Sequence, residues 1–291
     1  MTSAREAGGQ GGRVCWVTGA GGLVGAALVE SGWRPAGWRV TGLTRADLEL
    51  TDTDVVSRWF EADPPDVVIH CAAMSRGPAC EADPETARRW NVDVVRHLAG
   101  LMAGRRLLLM STDLVFDGRK GGYREGDAVN PLSVYGRTKV EAEEWVRGLK
   151  GGLVVRTSLI HGTSRTRDRA FNEEMVRAWR AGRSLRLFVD EFRTPIGLEV
   201  LVRALWELAA GGEEGVLHVA GGERLSRWEI GQRLVEVHPE GVGRMEPVSL
   251  REYVGAPRSP DTSLDSGRAE RVLGHRLPGY TEWLREGTCR D

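Results

Sequence analysis

The stretch Val14-Cys-Trp-Val-Thr-Gly19-Ala-Gly-Gly22-Leu-Val-Gly25 constrains this chain more than any other. An apolar run of strand length ends on Gly19, glycines recur every third residue, and Ala26-Ala-Leu-Val-Glu-Ser31 continues as a helix pattern. The spacing G-x-x-G-x-x-G is a variant of the dinucleotide fingerprint. Its first glycine permits a tight turn, its second lets backbone approach a pyrophosphate, and its third lets helix and strand pack closely. Phosphates would then meet free N–H groups at a helix start. Glycine is abundant here, 38 of 291 residues, so the strand before and the helix after separate this motif from an ordinary flexible turn.

Strand and helix signals keep alternating to about residue 160. Pro65-Asp-Val-Val-Ile-His-Cys-Ala-Ala73 and Leu153-Val-Val-Arg-Thr-Ser158 are apolar strands, as is Arg106-Leu-Leu-Leu-Met-Ser-Thr112. Asp83-Pro-Glu-Thr opens a long helix containing Asn91 and running to about Gly104. Such alternation implies an α/β fold, a Rossmann-type doubly wound parallel sheet. After residue 163 the regularity breaks. The expected organisation is a disordered lead-in over 1–12 and a nucleotide-binding domain over 13–163. Residues 198–222 return to that domain, and 164–197 with 223–291 form a smaller C-terminal substrate-binding lobe. Helix is expected over Leu198–Ala210 and strand over Val216–Ala220.

Composition narrows the function classes. The formal net charge is −1 with scattered basic residues, so no footprint for nucleic acid is present. No apolar run approaches the ~20 residues that cross a bilayer. Cys15, Cys71, Cys80 and Cys289 form no CxxC and no ligand cluster, which fits reduced thiols in a cytoplasm and no metal site. The lead-in lacks the apolar core of a signal peptide.

Thr112, Tyr135 and Lys139 are the candidate chemical apparatus. Tyr and Lys four residues apart share one helix face, so an ammonium can sit beside a phenol. A free phenol titrates near pKa ~10, and a neighbouring cation lowers that value toward the working range. A hydroxyl from Thr112, at the carboxyl end of its strand, could hold a substrate oxygen against Tyr135. After the second strand, Trp38-Arg-Val-Thr-Gly-Leu-Thr44, the acid expected for a ribose 2′-hydroxyl is replaced by Thr44, and Arg45 follows. A guanidinium suits a 2′-phosphate, so NADPH is preferred, while Asp47 and Glu49 leave NADH open. Arg156 reads as a structural arginine, His70 and His161 as core or loop residues, and the dispersed Trp residues as packing.

With these residues in hand, the chain resembles an extended short-chain dehydrogenase/reductase of the dTDP-4-dehydrorhamnose reductase branch, over about residues 12–285. The resemblance is carried by the glycine turn, Asp47-Leu-Glu-Leu-Thr-Asp52, Ser111-Thr-Asp-Leu-Val-Phe-Asp-Gly118 and Pro131-Leu-Ser-Val-Tyr-Gly-Arg-Thr-Lys139. Val155-Arg-Thr-Ser158, Asp190-Glu-Phe-Arg-Thr-Pro195 and Asp261-Thr-Ser-Leu-Asp265 add to it. It implies hydride delivery from NADPH to a ketone of a nucleotide-linked 4-keto-6-deoxy sugar, with Tyr135 giving the proton, Lys139 holding a ribose hydroxyl and Thr112 fixing the carbonyl.

The implied cofactor contacts are Gly19, Gly22, Leu23, Val24 and Gly25; Arg45, Glu49 and Leu50; Cys71, Ala72 and Ala73; and Tyr135 with Lys139. The implied substrate contacts are Asp113, Asn172, Arg193 and Arg258, the two arginines for a diphosphate. Similar dehydratases place an Asp-Glu pair after the catalytic Thr, whereas Asp113-Leu114 lacks the second acid. Leu114 and Leu159 stand where the family has Tyr and Trp, and His161 where a Tyr is common, which should change which sugar fits. Relatives of this branch include NADP-binding regulatory subunits of methionine adenosyltransferase, so a regulatory role stays beside the reductase, as do an epimerase and a homodimer.

Overall fold

The computed structural model describes residues 12–287, so Cys289 and residues 1–11 of the expected lead-in lie outside the described residues. Six parallel strands form the central sheet: β1 (Val14–Thr18), β2 (Arg39–Leu43), β3 (Val67–His70), β4 (Arg106–Thr112), β5 (Gly152–Thr157) and β10 (Gly215–His218). Their order is β2-β1-β3-β4-β5-β10. Every residue of β3 and β5 is buried, as a parallel sheet covered on both faces requires. The chain runs outward from β1 to β2 and then returns to place β3 on the other side of β1. That reversal opens a crevice beyond the carboxyl ends of β1 and β3, where ligands of such sheets bind.

Alternating residues feed two cores. Cys15, Val17, Ile69, Leu108 and Val155 face α1 (Leu23–Glu30), α8 (Leu198–Ala210) and α10 (Gly267–Leu273), which contribute Leu28, Leu201, Leu205, Trp206 and Ala269. Trp16, Val68, Leu107, Leu109 and Val154 face α2 (Thr53–Ala62), α5 (Val94–Leu101) and α6 (Val134–Arg147), which contribute Val56, Val95, Leu98, Ala142 and Val146. Each buried Val, Leu or Ile among them stabilises the fold by about 1.5–3 kcal/mol. The two cores fix the sheet rigidly beneath the crevice.

The helix expected from Asp83 to about Gly104 is broken. Asp83 accepts a hydrogen bond from Thr86 N and Pro84 starts the helix, as its composition predicts. Yet α4 (Pro84–Arg88) passes into a π turn over Arg89–Asp93 before α5 begins. A π turn carries one surplus residue per turn and marks a place where a side chain has business outside the ladder. Here that residue is Asn91.

Three short strand pairs lie outside the main sheet. They are β6 (Ile160–His161) with β9 (Ile196–Gly197), β7 (Leu185–Phe188) with β12 (Met245–Val248), and β8 (Phe192–Arg193) with β11 (Leu225–Ser226). A separate apolar cluster packs α7 (Phe171–Arg180), α9 (Arg227–Val237) and α11 (Tyr280–Gly287) through Val176, Trp179, Ile230, Leu234 and Tyr280. His161 is fully buried at its edge, 4.1 Å from the Trp283 ring and 4.6 Å from that of Tyr280. Among the described residues no helix is long and apolar enough to cross a membrane.

Candidate active site

One cleft of about 1270 Å³ crosses the crevice and runs to the C-terminal cluster. It exceeds the roughly 300–1,000 Å³ of a one-ligand pocket, which leaves room for a dinucleotide and a second molecule.

Its first end is built from main chain. Gly19 has φ +69°, and a Cβ there would come within 2.7 Å of Ala72 N. A Cβ on Gly25 would lie 2.3 Å from Gly19 O. Gly22 N donates to Gly19 O at 2.8 Å, and α1 begins with no side chain capping its first turn. The free N–H groups of that turn face the cleft beside Gly22, Leu23 and Val24, an arrangement that takes an anion. Leu50, Cys71, Ala72 and Ala73 line the same end.

The wall after β2 is made differently from expectation. Arg45 lines the cleft with its guanidinium 4.4 Å from the Trp90 ring centre. Trp90 therefore serves the cleft and is not simple packing. Glu49, an expected cofactor contact, is not part of the wall. Its carboxylate takes hydrogen bonds from Thr51 N and Oγ1 and from Arg45 Nε. Burial raises its pKa, but those bonds outweigh burial and hold it below the usual range. Asp47 is likewise turned to Thr44 N and Oγ1. No free carboxylate awaits a ribose there.

The chemical groups stand at the middle. Ser133 caps α6 by accepting from Gly136 N at 3.1 Å, so Tyr135 and Lys139 fall in its first turns, facing the cleft with Thr112. Tyr135 keeps part of its surface open to the cleft. Its phenol is pushed well above the ordinary value, chiefly by burial and then by Asp113 and Cys80, while a hydrogen bond with Thr112 pulls the other way. Desolvation dominates this phenol, and Lys139 is itself lowered to about 8, chiefly by burial. A neutral phenol is the form that can donate a proton.

Two buried arrays support this centre. Asn91 accepts from Met74 N at 2.8 Å and donates to Met74 O and to Thr138 Oγ1, whose own hydroxyl donates to Tyr135 O. Behind Lys139, Glu143 accepts from Arg156 Nε and Nη2 and from Ser111 Oγ. Arg156 is thus structural, as expected.

At the far end, four distant segments converge. Asp113 accepts from Ser158 Oγ at 2.7 Å and Thr262 Oγ1 at 3.0 Å, with Arg193 Nε at 3.5 Å. Its carboxylate is engaged within the protein and holds Thr112 in place (3.2 Å) rather than standing free for a substrate. Glu191 is fully buried beneath three arginines: Arg258 at 2.6 Å, Arg227 at 3.1 Å and Arg193 at 3.2 Å. Burial alone would raise its pKa, but the guanidinia of Arg227, Arg193 and Arg258 hold it at about 2.

Arg193 Nη1 donates to Phe192 O and Ser259 O, while its Nε and Nη2 lie at ion-pair distance from Asp113 and Glu191. Arg193 lines the cleft and also braces these segments. Arg258 and Arg227 keep 34% and 25% of their side chains exposed at the cleft. Arg227 was not expected. The pattern Ser226-x-x-Glu229, a capping box seen in the structure, places it at a helix start but says nothing of Glu191. Asn172 pairs both ways with Gly162 through its carboxamide and is not among the residues that line the cleft. Leu114 and Leu159 do face it. Among the described residues no group of three His, Cys, Asp or Glu could hold a metal ion.

The family of the RmlD substrate binding domain matches residues 13–288, which takes in both ends of this cleft. The chain belongs to that family. It is 33% identical over 282 residues to dTDP-4-dehydrorhamnose reductase of Mycolicibacterium smegmatis, covering 94% of this chain and 84% of that one. It is 29% identical to methionine adenosyltransferase 2 subunit beta of Bos taurus, covering 90% and 83%. Its fold matches the structure of dTDP-4-dehydrorhamnose reductase from Bacillus anthracis in complex with NADP, with a TM-score of 0.86 at 24% identity over 96% of this chain and 100% of that one. RmlD-family membership agrees with the Rossmann-type sheet and with the extended short-chain dehydrogenase/reductase resemblance.

Proposed function

We propose that the protein is an NADPH-dependent reductase of a nucleotide-linked 4-keto-6-deoxy sugar. The observation that carries this reading is that Thr112, Tyr135 and Lys139 line the same cleft as the glycine turn. The glycine cradle, which a Cβ at Gly19 or Gly25 would fill, fits a dinucleotide, and Arg45 beside Trp90 suits its 2′-phosphate. When bound, the cofactor supplies the hydride. Thr112 turns its hydroxyl from Asp113 to donate to the carbonyl oxygen, while Leu114 N holds its oxygen in place. Tyr135, neutral in its half-buried place, donates a proton to the developing alkoxide. Lys139 holds a ribose hydroxyl and stabilises the phenolate left behind. Arg227 and Arg258 take the substrate diphosphate. Leu114 leaves no second acid for dehydration.

The test is NADPH oxidation with a panel of nucleotide-linked 4-keto sugars, beside Tyr135→Phe. Turnover of one such sugar is expected, with the Phe variant slower by about 10²–10⁴-fold and its NADPH affinity kept. A wild-type protein that turns over none of them ends this proposal.

The likeness to the adenosyltransferase subunit favours a second reading, a regulatory NADP-binding subunit. Tight NADPH binding without turnover, together with copurification of a methionine adenosyltransferase, would select it.

A further inference from the structure

Arg45 and Trp90 meet in the cleft from different elements. Arg45 follows β2, at whose end a dinucleotide fold reads the ribose 2′ position. Its side chain is 71% exposed, and an exposed arginine spreads over many rotamers unless something holds it. Two contacts do. Nε donates to Glu49 Oε2 at 3.2 Å, and the guanidinium carbon stands 4.4 Å from the centre of the Trp90 ring. The first contact uses Nε and leaves the N–H groups of Nη1 and Nη2 for a phosphate. The second rests the planar cation on a π face, whose quadrupole attracts it.

Trp90 is itself firmly mounted. It packs against the core that holds Val56, Val95 and Leu98, and it lines the cleft, as Thr86 does about one helical turn earlier. The π turn over Arg89–Asp93 lets two neighbours serve one cleft. A turn closed by i→i+5 bonds holds more residues than an α turn, so successive side chains diverge by a smaller angle. Trp90 reaches Arg45 while Asn91 grips Met74.

We propose that Trp90 is a specificity-determining positioning residue: its indole holds the Arg45 guanidinium at the 2′-phosphate of NADPH and so sets the preference over NADH. The inference goes beyond the proposed function and rests on its NADPH part. An aliphatic side chain at position 90 fills space but offers no π face, so Arg45 would swing into solvent. NADH carries a hydroxyl in place of that phosphate and would lose nothing.

The experiment is fluorescence titration of the full chain with NADPH and with NADH. The wild type is expected to bind NADPH more tightly. Trp90→Leu should weaken NADPH by about 2- to 5-fold and leave NADH unchanged. Trp90→Phe keeps a π face and should hold most of the preference, which a merely structural role would not predict. With Arg45→Ala already in place, Trp90→Leu should cost nothing further, because the indole acts through the guanidinium. Should Trp90→Leu fail to fold, Trp90→Met takes its place with the same expectation. Calorimetry with adenosine 2′,5′-bisphosphate against 5′-AMP repeats the comparison without the nicotinamide half. An equal loss for NADPH and NADH, or for both adenosine probes, would mean that the indole serves the shared adenosine, and it overturns the proposal. Discrimination that survives Trp90→Leu overturns it as well, while leaving the NADPH assignment intact. A wild type that binds both cofactors equally removes the inference and the NADPH assignment together.

Discussion

The two ends of the cleft are made of different material. At the dinucleotide end the surface is main chain: at Gly19 and Gly25 backbone comes so close that no side chain fits, and at Gly22 a Cβ would be tight. At the opposite end the surface is charge, with Glu191 neutralising part of three arginines drawn from β8, α9 and the loop before Thr262. The first end depends on shape and tolerates no added atom. The second depends on an ion balance and tolerates shape changes, as Leu114 and Leu159 in place of aromatic walls suggest. One end thus selects a constant ligand, while the other can be retuned.

Three substitutions would break or sharpen this contrast. Glu191→Gln leaves three guanidinia facing one another and should cost about 3–5 kcal/mol, toward the lower figure because Arg227 and Arg258 are partly hydrated. Thermal melting measures it. Its NADPH affinity, by titration of cofactor fluorescence, should stay near wild type. A parallel loss of cofactor would mean the two ends are not separable. Gly25→Ala pushes a methyl against Gly19 O and should weaken NADPH on the order of 10- to 100-fold, the equivalent of about 1–3 kcal/mol of overpacking. Unaltered affinity would show that the turn yields more readily than its contacts imply. The smallest effect is expected of Arg45→Ala, on the order of tenfold against NADPH and little against NADH. Equal losses for both cofactors would remove the reason to assign this guanidinium to a phosphate.

Legibility in the sequence follows the same divide. The glycine turn, β4 over Arg106–Thr112 and α8 over Leu198–Ala210 could be read because each is fixed by local spacing. Tyr135 and Lys139 were legible because a helix of period 3.6 puts them on one face. Arg227 was not, since its role comes from Glu191, 36 residues earlier. Glu49 and Asn172 have a feature the sequence did not reveal for a related reason: each finds partners close by, Thr51 and Gly162, for its polar atoms. For the phenol, neighbours in sequence reveal a cation but not the depth at which the ring is buried.

The π turn at Asn91 bears on how the cleft can diversify. The carboxamide there grips both the N–H and the carbonyl of Met74, reading only its peptide groups, and Met74 lines the cleft. The path of that loop is thereby anchored from a helix seventeen positions away, independent of which side chain it carries. Position 74 can change its chemistry without moving its mount, so a new substrate contact could be installed there with the reacting groups undisturbed.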